Sequence, residues 1–144
     1  MKHSSIRPVT ETDLPFFYLH QLDEEATRMA DFPSRSEEAF YAHWHKIMAD
    51  PANVLRTILE DGQVAGSVVS FILDGRREVG YWIGRSFWGQ GIATRALELM
   101  LVELKERPLI AVTAVHNLGS QRVLEKCGFR RIKTGEKEIE FILE

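Results

Sequence analysis

The sequence predicts an α/β domain whose sheet is antiparallel in its first half and gains a parallel connection near its middle. Three β-rich runs between Val54 and Gly84 are separated by Asp61-Gly62 and Asp74-Gly75. Asp-Gly between such runs is the strongest short hairpin signal, so these runs predict an antiparallel meander. After Gly84 the apolar spacing becomes helical and is followed by "PLIAVTAV". A strand that follows a helix in this way indicates a parallel crossover.

The first fifty residues predict one strand and two helices. "SSIRPVTETDL" is typical of a short strand and a turn. Thr12 or Asp13 can cap a helix through "LPFFYLHQLDEEA", because Pro15 is tolerated in a first turn. "DFPSR" interrupts the pattern, and Ser36 then begins a helix that ends near Ala49.

The last fifty residues complete the expected fold. Apolar residues between Ala93 and Leu104 recur at helical spacing, and "PLIAVTAV" predicts a strand covered on both sides. Asn117 opens a short helix that Gly128 closes, and "FRRIKTGEKEIEFILE" predicts two final strands. We therefore expect a mixed sheet of about six to seven strands, flanked by about four helices.

Length, composition and charge restrict the classes of protein. The 144 residues are 44% hydrophobic and 27% charged, which predicts a single domain over residues 1–144. A net charge of −3 gives no indication of a nucleic-acid partner. The only cysteine, Cys127, excludes an internal disulfide and favours a reducing compartment. No apolar run has transmembrane length and no signal-peptide core is visible, so we expect a cytoplasmic protein without a membrane partner, monomeric or homodimeric.

Two glycines stand at the start of the helix in "SFWGQGIATRALELML". A strand, a glycine turn and a helix in this order form an anion site, since the first N–H groups of a helix lack internal partners. Gly91 would let a phosphate approach the backbone, and Gly89 would permit a positive φ. A tight turn without a ligand explains the same residues. A P-loop and a dinucleotide fingerprint are excluded, because Ile92-Ala93-Thr94 follows the second glycine.

A second segment, "NLGSQRVLEKCGFR", lies one strand after "WGQGIATRAL". Together they closely resemble the GNAT superfamily of acyl-CoA-dependent N-acyltransferases, in particular the branch of the RimJ/RimL-type ribosomal-protein acetyltransferases. The family's phosphate motif is Arg/Gln-x-x-Gly-x-Gly/Ala. Gly91 and Ala93 match its last two positions, whereas Trp88 occupies the first. "EVGYWIG" matches the strand before the motif.

The resemblance implies a GNAT-like sheet whose two central parallel strands splay apart around acetyl-CoA. Backbone amides from about Gln90 to Arg95 would hold the pyrophosphate of the donor, and Asn117 and Ser120 would approach its thiol end. The amine acceptor would lie on the opposite face, over the N-terminal helices. The implied cofactor-binding residues are Ile83, Trp88, Gly89, Gln90, Gly91, Ile92, Ala93, Thr94, Arg95, Asn117 and Ser120.

Structural explanations exist for several of these polar residues. Asn117 can serve as an N-cap alone, with Ser120 at the third helical position. Cys127 has no neighbouring base in the sequence and is expected to pack in the core. His43 and His45 are two residues apart on a helix and do not share a face, so no metal site is expected.

The implied reaction is direct attack of an amine on the thioester. A lysine amine, with a pKa of about 10.4, requires a stronger base than an α-amine, with a pKa of about 7.7–8.0. Glu78 is the first candidate for this base because its strand leads to the motif, and His116 is the second. An exposed edge position would give Glu78 no such role.

One family feature is missing. Many relatives carry a tyrosine one helical turn after the serine as a general acid, and this position holds Leu124. A thiol of pKa about 8.5 can leave largely as thiolate, and Ser120 could donate a hydrogen bond to the sulfur. The acceptor stays open among a protein N-terminus, a polyamine, an aminoglycoside and a small amine. An acyl-CoA-binding sensor without turnover is the alternative function.

Overall fold

A computed structural model describes residues 3–144. Within this range the chain forms one seven-stranded sheet and five α-helices, and no helix is long and apolar enough to span a bilayer. The elements are β1 (Ser4–Pro8), α1 (Leu14–Gln21), α2 (Glu24–Ala30), α3 (Glu37–Met48), β2 (Val54–Glu60), β3 (Gln63–Leu73), β4 (Arg76–Ile83), α4 (Ile92–Glu103), β5 (Leu109–Ala114), α5 (Leu118–Lys126), β6 (Arg130–Thr134) and β7 (Glu138–Leu143).

The spatial order of the strands is β1-β2-β3-β4-β5-β7-β6. Every neighbouring pair is antiparallel except β4 and β5, which are parallel. The predicted mixed α/β sheet is therefore confirmed. Both Asp-Gly turns have positive φ at both residues, 51° and 82° at Asp61-Gly62 and 51° and 76° at Asp74-Gly75. This backbone matches the right-handed twist of the strands that the turns connect.

The single helix predicted from Leu14 to Ala26 was wrong. Asp23 adopts an extended conformation, with φ −66° and ψ 119°, and separates α1 from α2. Its carboxylate accepts a hydrogen bond from the Ala26 N–H at 2.9 Å, and so caps the second helix. Asp23 thus begins a new helix within the segment that was predicted to be one helix. The structure therefore has five α-helices within residues 3–144.

The parallel pair at the centre of the sheet is hydrogen-bonded over a very short stretch. β4 and β5 are in register only at Glu78 and Ile110, close to the beginning of both strands. Towards their carboxyl ends the strands separate, as the family resemblance implied. The expectation that β5 is covered on both sides is only partly correct, because the outward Val112 is 36% exposed.

Two hydrophobic cores lie on opposite faces of the sheet. One face packs against α4 and α5 through residues such as Val79, Leu97 and Phe141. The other face packs against α1 and α3 through Phe17 and Trp44, among others. Burial of each large apolar side chain contributes about 1.5–3 kcal/mol, so both helical layers are held firmly on the sheet. The sheet is therefore covered by helices on both of its faces.

Asp13 fixes the start of α1, but not as the predicted helix cap. Its carboxylate accepts hydrogen bonds from Arg7 at 2.7 and 2.8 Å and from the Thr57 hydroxyl at 2.6 Å, and it makes no cap bond to α1. Burial by itself would raise the pKa of Asp13, but these hydrogen bonds outweigh it and hold the pKa well below its usual range. The ionised carboxylate thereby ties α1 to β1 and β2.

Candidate active site

The turn before α4 requires both of its glycines. Gly89 has a φ of 76°, as predicted, and Gly91 also has a positive φ, of 74°. A Cβ atom on Gly91 would lie 3.1 Å from Nη1 of Arg95, whereas one on Gly89 would meet nothing within 4 Å. The backbone conformation therefore demands glycine at both positions, whether or not a phosphate approaches.

The N-terminus of α4 keeps its positive end open. Gly91, its N-cap, makes no side-chain cap bond, and the first turn contains no acidic residue. In contrast, α2 and α3 are capped by the side chains of Asp23 and Ser36 and have acidic first turns. Free N–H groups and the helix dipole together favour an anion at such a position.

The Arg95 side chain stabilises this turn through contacts with Gln90 and with residues of β1 and β2. Its backbone N–H donates to the Gly91 carbonyl at 3.2 Å. Its guanidinium donates to the Gln90 carbonyl at 2.9 Å and to Ser4 Oγ at 2.8 Å, and it lies 3.3 Å from the Glu60 carboxylate. The Arg95 amide is therefore paired within the helix, whereas the N–H groups of Ile92 to Thr94 have no partner inside it.

A cleft of about 550 Å³ opens from this turn towards α5 and α2, and we name it the α4 cleft. Tyr81 and His116 also contribute to its walls. Gln90, Arg95 and Glu78 are not among its lining residues. The other predicted cofactor residues all line it, namely Ile83, Trp88, Gly89, Gly91, Ile92, Ala93, Thr94, Asn117 and Ser120.

Ser120 is linked to a tyrosine that the sequence reasoning missed. Asn117 Oδ1 accepts a hydrogen bond from the Ser120 N–H at 3.1 Å, which is the predicted N-cap. The Ser120 hydroxyl lies 2.7 Å from the hydroxyl of Tyr81, on β4. Burial raises the pKa of Tyr81 to about 12, so its phenol stays protonated at neutral pH. Leu124, in the position of the family's tyrosine, is 3% exposed and belongs to the core.

A second cavity, of about 330 Å³, lies on the opposite face of the sheet beneath α1 and α3, and we name it the α1–α3 cavity. Phe17, Phe40 and Trp44 form its helical wall, and Phe71 on β3 faces them. Tyr81 and Trp82 line both this cavity and the α4 cleft. The two cavities therefore meet at the carboxyl end of β4, where β4 and β5 have separated.

Glu78 lies at the other end of β4, on the face of the α1–α3 cavity. It is opposite Phe71 in the antiparallel register and is 6% exposed, but it lines neither cavity. The Arg76 guanidinium lies 3.6 Å from its carboxylate. Burial raises the pKa of Glu78, against the opposing attraction of Arg76. Its role as the base stays a prediction, although its burial rules out the exposed-edge alternative.

His116, the second candidate for the base, and Cys127 both have structural surroundings that account for them. Nε2 of His116 lies 2.8 Å from the Arg28 carbonyl, so this histidine connects the end of β5 to α2. Burial raises the pKa of the Cys127 thiol to about 11. The thiol is therefore protonated at neutral pH, in agreement with the expected packing role.

The glycine turn before α4 opens into one cavity, which meets a second, mostly apolar cavity on the other face of the sheet. Residues 5–130 match the family profile described as acetyltransferase (GNAT) domain. The chain belongs to this family, and the resemblance seen in the sequence is confirmed.

Individual relatives agree with the family match. The chain is 31% identical over 110 residues to the putative ribosomal N-acetyltransferase YdaF of Bacillus subtilis, a match that covers 69% of this chain and 60% of the relative. The chain thus spans about 60% of the length of that relative.

Two solved structures share the fold. The first is RimL, a ribosomal L7/L12 α-N-protein acetyltransferase in complex with coenzyme A. It has a TM-score of 0.81 at 18% identity, over 97% of this chain and 93% of that one. The second is a spermidine N-acetyltransferase from Vibrio cholerae, with a TM-score of 0.83 at 16% identity, over 97% of this chain and 94% of that one.

A matched pair of glycine variants separates backbone strain from anion binding. Gly75 has a φ of 76° in a hairpin turn outside both cavities, close to the 74° of Gly91. Gly91→Ala and Gly75→Ala should each cost about 1–2 kcal/mol of unfolding free energy. Only Gly91→Ala should also weaken the binding of acetyl-CoA, by about tenfold or more in calorimetry. Equal affinities in the two variants would make Gly91 a turn residue only.

Proposed function

We propose that the protein is an acetyl-CoA-dependent N-acetyltransferase that transfers the acetyl group directly to a primary amine within a ternary complex. The observation that carries the proposal is the junction at Tyr81 and Trp82, where the α4 cleft meets the α1–α3 cavity. Two substrates in these cavities would have their reactive ends adjacent. Such positioning is a major source of rate enhancement.

The α4 cleft suits the donor substrate. The free N–H groups at the start of α4 match the pyrophosphate of acetyl-CoA, because the helix end there has neither a capping side chain nor an acidic residue. Asn117 and Ser120 would lie towards the thiol end, on the α5 side of the cleft. The donor supplies an acetyl group activated as a thioester.

The acceptor ammonium must lose one proton before it can attack. The neutral nitrogen then forms the new N–C bond, the C–S bond breaks, the nitrogen loses a second proton to solvent, and the sulfur takes up one proton. We assign the removal of the first proton to Glu78, through water, since Glu78 lies on the acceptor face but outside the cavity lining. We assign protonation of the sulfur to the hydroxyl pair of Ser120 and the protonated Tyr81, which lie 2.7 Å apart.

The acceptor is a protein N-terminal α-amine or a small-molecule amine, on the α1–α3 side of the sheet. The names of YdaF and RimL favour a protein N-terminus, and the spermidine enzyme favours a small amine. We also propose that residues 1–144 constitute one catalytic domain. The single cysteine supports a reducing compartment such as the cytoplasm.

The test combines binding with turnover. Acetyl-CoA at about 100 times its dissociation constant should stabilise the fold by about 2.7 kcal/mol, measured as a shift in melting temperature. Addition of a suitable amine should then release free thiol in proportion to acetylated product, measured by mass spectrometry. An unchanged melting temperature would contradict the donor site. Binding without thiol release across a broad amine panel would indicate the non-catalytic acyl-CoA sensor instead.

A further inference from the structure

The walls of the α1–α3 cavity are mostly apolar and rich in aromatic rings. The rings of Phe17 and Trp44 lie 5.0 Å apart between centroids, and those of Phe40 and Trp44 lie 6.3 Å apart. Packed rings of this kind keep their positions and present an apolar surface. The volume of about 330 Å³ is at the small end of the range for ligand sites. It suits one apolar group about the size of an aromatic side chain.

The charges of the cavity are of one sign. Among the residues described, those that line it include no Asp and no Glu, and its ionisable groups are His20, Arg35 and His43. Burial lowers the pKa of both histidines, so the imidazoles are neutral at pH 7. The Arg35 guanidinium lies 5.0 Å from the centre of the Phe32 ring and makes no salt bridge within residues 3–144. A second ammonium group in this cavity would be desolvated without a counter-charge.

Two buried polar atoms of the lining side chains lack hydrogen-bond partners. They are Nδ1 of His20 and Nε1 of Trp82. Both atoms are closed to solvent, so a ligand in the cavity could reach them only if the rings moved. The ligand class is therefore set by the apolar lining and its charges.

The backbone is shaped to admit the His20 ring near the junction of the two cavities. A Cβ atom on Gly84 would lie 2.7 Å from Nε2 of His20, so only glycine leaves room for the imidazole. Gly84 directly follows Ile83, which lines the α4 cleft. His20 is thus held beside the carboxyl end of β4.

We propose that the α1–α3 cavity is an acceptor subsite for a primary amine that carries one apolar group and no second positive charge. This inference rests on the proposed N-acetyltransferase function. The cavity disfavours polyamines and aminoglycosides, because their additional cations would have no carboxylate partner there. It is open both to a free arylalkylamine and to a peptide whose first residue is apolar.

An acceptor panel tests the class directly. Free-thiol release would be measured with phenethylamine, phenylalaninamide, peptides that begin with Phe or Ser, methylamine and spermidine. We expect kcat/KM for the apolar amines to exceed that for methylamine and for spermidine at least tenfold. The comparison of phenethylamine with the Phe peptide distinguishes a free amine from a peptide N-terminus. Preference for spermidine would overturn the proposed acceptor class but not the acetyltransferase function. Absence of thiol release with every amine would overturn the proposed function as well.

Gly80 offers a steric test of the cavity. It lines the α1–α3 cavity, its φ is not positive, and a Cβ atom there meets nothing within 4 Å. In the series Gly80→Ala and Gly80→Val, the ratio of kcat/KM for phenethylamine to that for methylamine should fall stepwise, by tenfold or more for Val. A constant ratio in folded variants would overturn the assignment of the apolar group to this cavity.

A charge test does not depend on filling the cavity. His43→Glu adds a carboxylate to the lining, whereas Ala42→Glu adds one to an exposed position of the same helix. The ratio of kcat/KM for 1,5-diaminopentane to that for pentylamine should rise about tenfold in His43→Glu only. An equal rise in both variants, or no rise in either, would overturn the electrostatic part of the proposal.

Discussion

Replacement of Glu78 by Gln is expected to lower kcat by about 10²–10⁴-fold and to leave the affinity for acetyl-CoA nearly intact. The variant keeps the size of the side chain but cannot accept a proton. Glu78 is buried, and its one ionic partner among residues 3–144 is Arg76, at 3.6 Å. Burial of a carboxylate costs folding free energy, and carboxyl groups with a raised pKa are concentrated at functional sites, so we expect Glu78 to act as the base.

The pH dependence follows from the direction of the pKa shift. A base must be ionised, and burial raises the pKa of Glu78. The pH at which the wild-type rate rises should therefore lie above the ordinary pKa range of a glutamate. In Glu78→Gln the deficit should shrink as pH increases, because more of the acceptor is already a neutral amine. An acceptor of lysine type should suffer more than an α-amine, since less of it is neutral at the start.

Glu140→Gln is the matched control for this experiment. Glu140 is the other carboxylate that contacts Arg76, at 2.7 Å, and it lines neither cavity. Its replacement should change kcat by no more than a few fold. Parallel pH–rate profiles of wild type and Glu78→Gln, with a small difference in rate, would remove Glu78 as the base. The role would then pass to His116 or to a bound water.

Tyr81→Phe is expected to lower kcat by about 10²-fold, with KM for acetyl-CoA almost unchanged. The change removes the hydroxyl that lies 2.7 Å from Ser120 and keeps the aromatic ring. Without this donor the departing sulfur must leave as a thiolate in a partly apolar cleft. General-acid assistance contributes about 10²–10⁴-fold, and the low pKa of a thiol puts the loss at the lower end of that range.

A double-mutant cycle can test whether Tyr81 and Ser120 act as a unit. Ser120→Ala should give a similar loss, and the double variant should lose little more than either single variant. Tyr41→Phe is the control, because Tyr41 lines neither cavity. Additive losses would mean that the two hydroxyls act independently, and full activity of Tyr81→Phe would mean that the thiolate leaves without help from this tyrosine.

Local signals in the sequence determined most of the fold. The two Asp-Gly turns, the cap at Ser36 and the glycine at position 128 are features whose structural effect depends on a few neighbouring residues. The prediction failed at Asp23, where one apolar run is two helices. Apolar spacing reports which residues face the core, and it continues across a short break when both helices pack on the same sheet.

The conformation of the two segments proposed to hold the donor was also largely predictable. Gly89, Gly91, Asn117 and Ser120 belong to two short segments, and each segment carries its own turn or cap. A motif of this kind is local, so its conformation follows from adjacent residues. Arg95 is the exception, because its side chain turns to partners on β1 and β2 that no local pattern reveals.

The sequence by itself thus determined the family, most of the order of the elements and the glycine turn before α4. Only the tertiary structure decided the rest of the candidate site. Tyr81 reaches Ser120 from a strand 39 residues earlier in the chain, and His20 on α1 meets Gly84 at the end of β4. Such contacts depend on how strands are ordered and how far β4 and β5 separate. Contacts between residues that are far apart in the sequence leave no periodic pattern in it. They arise when complete helices and strands pack together.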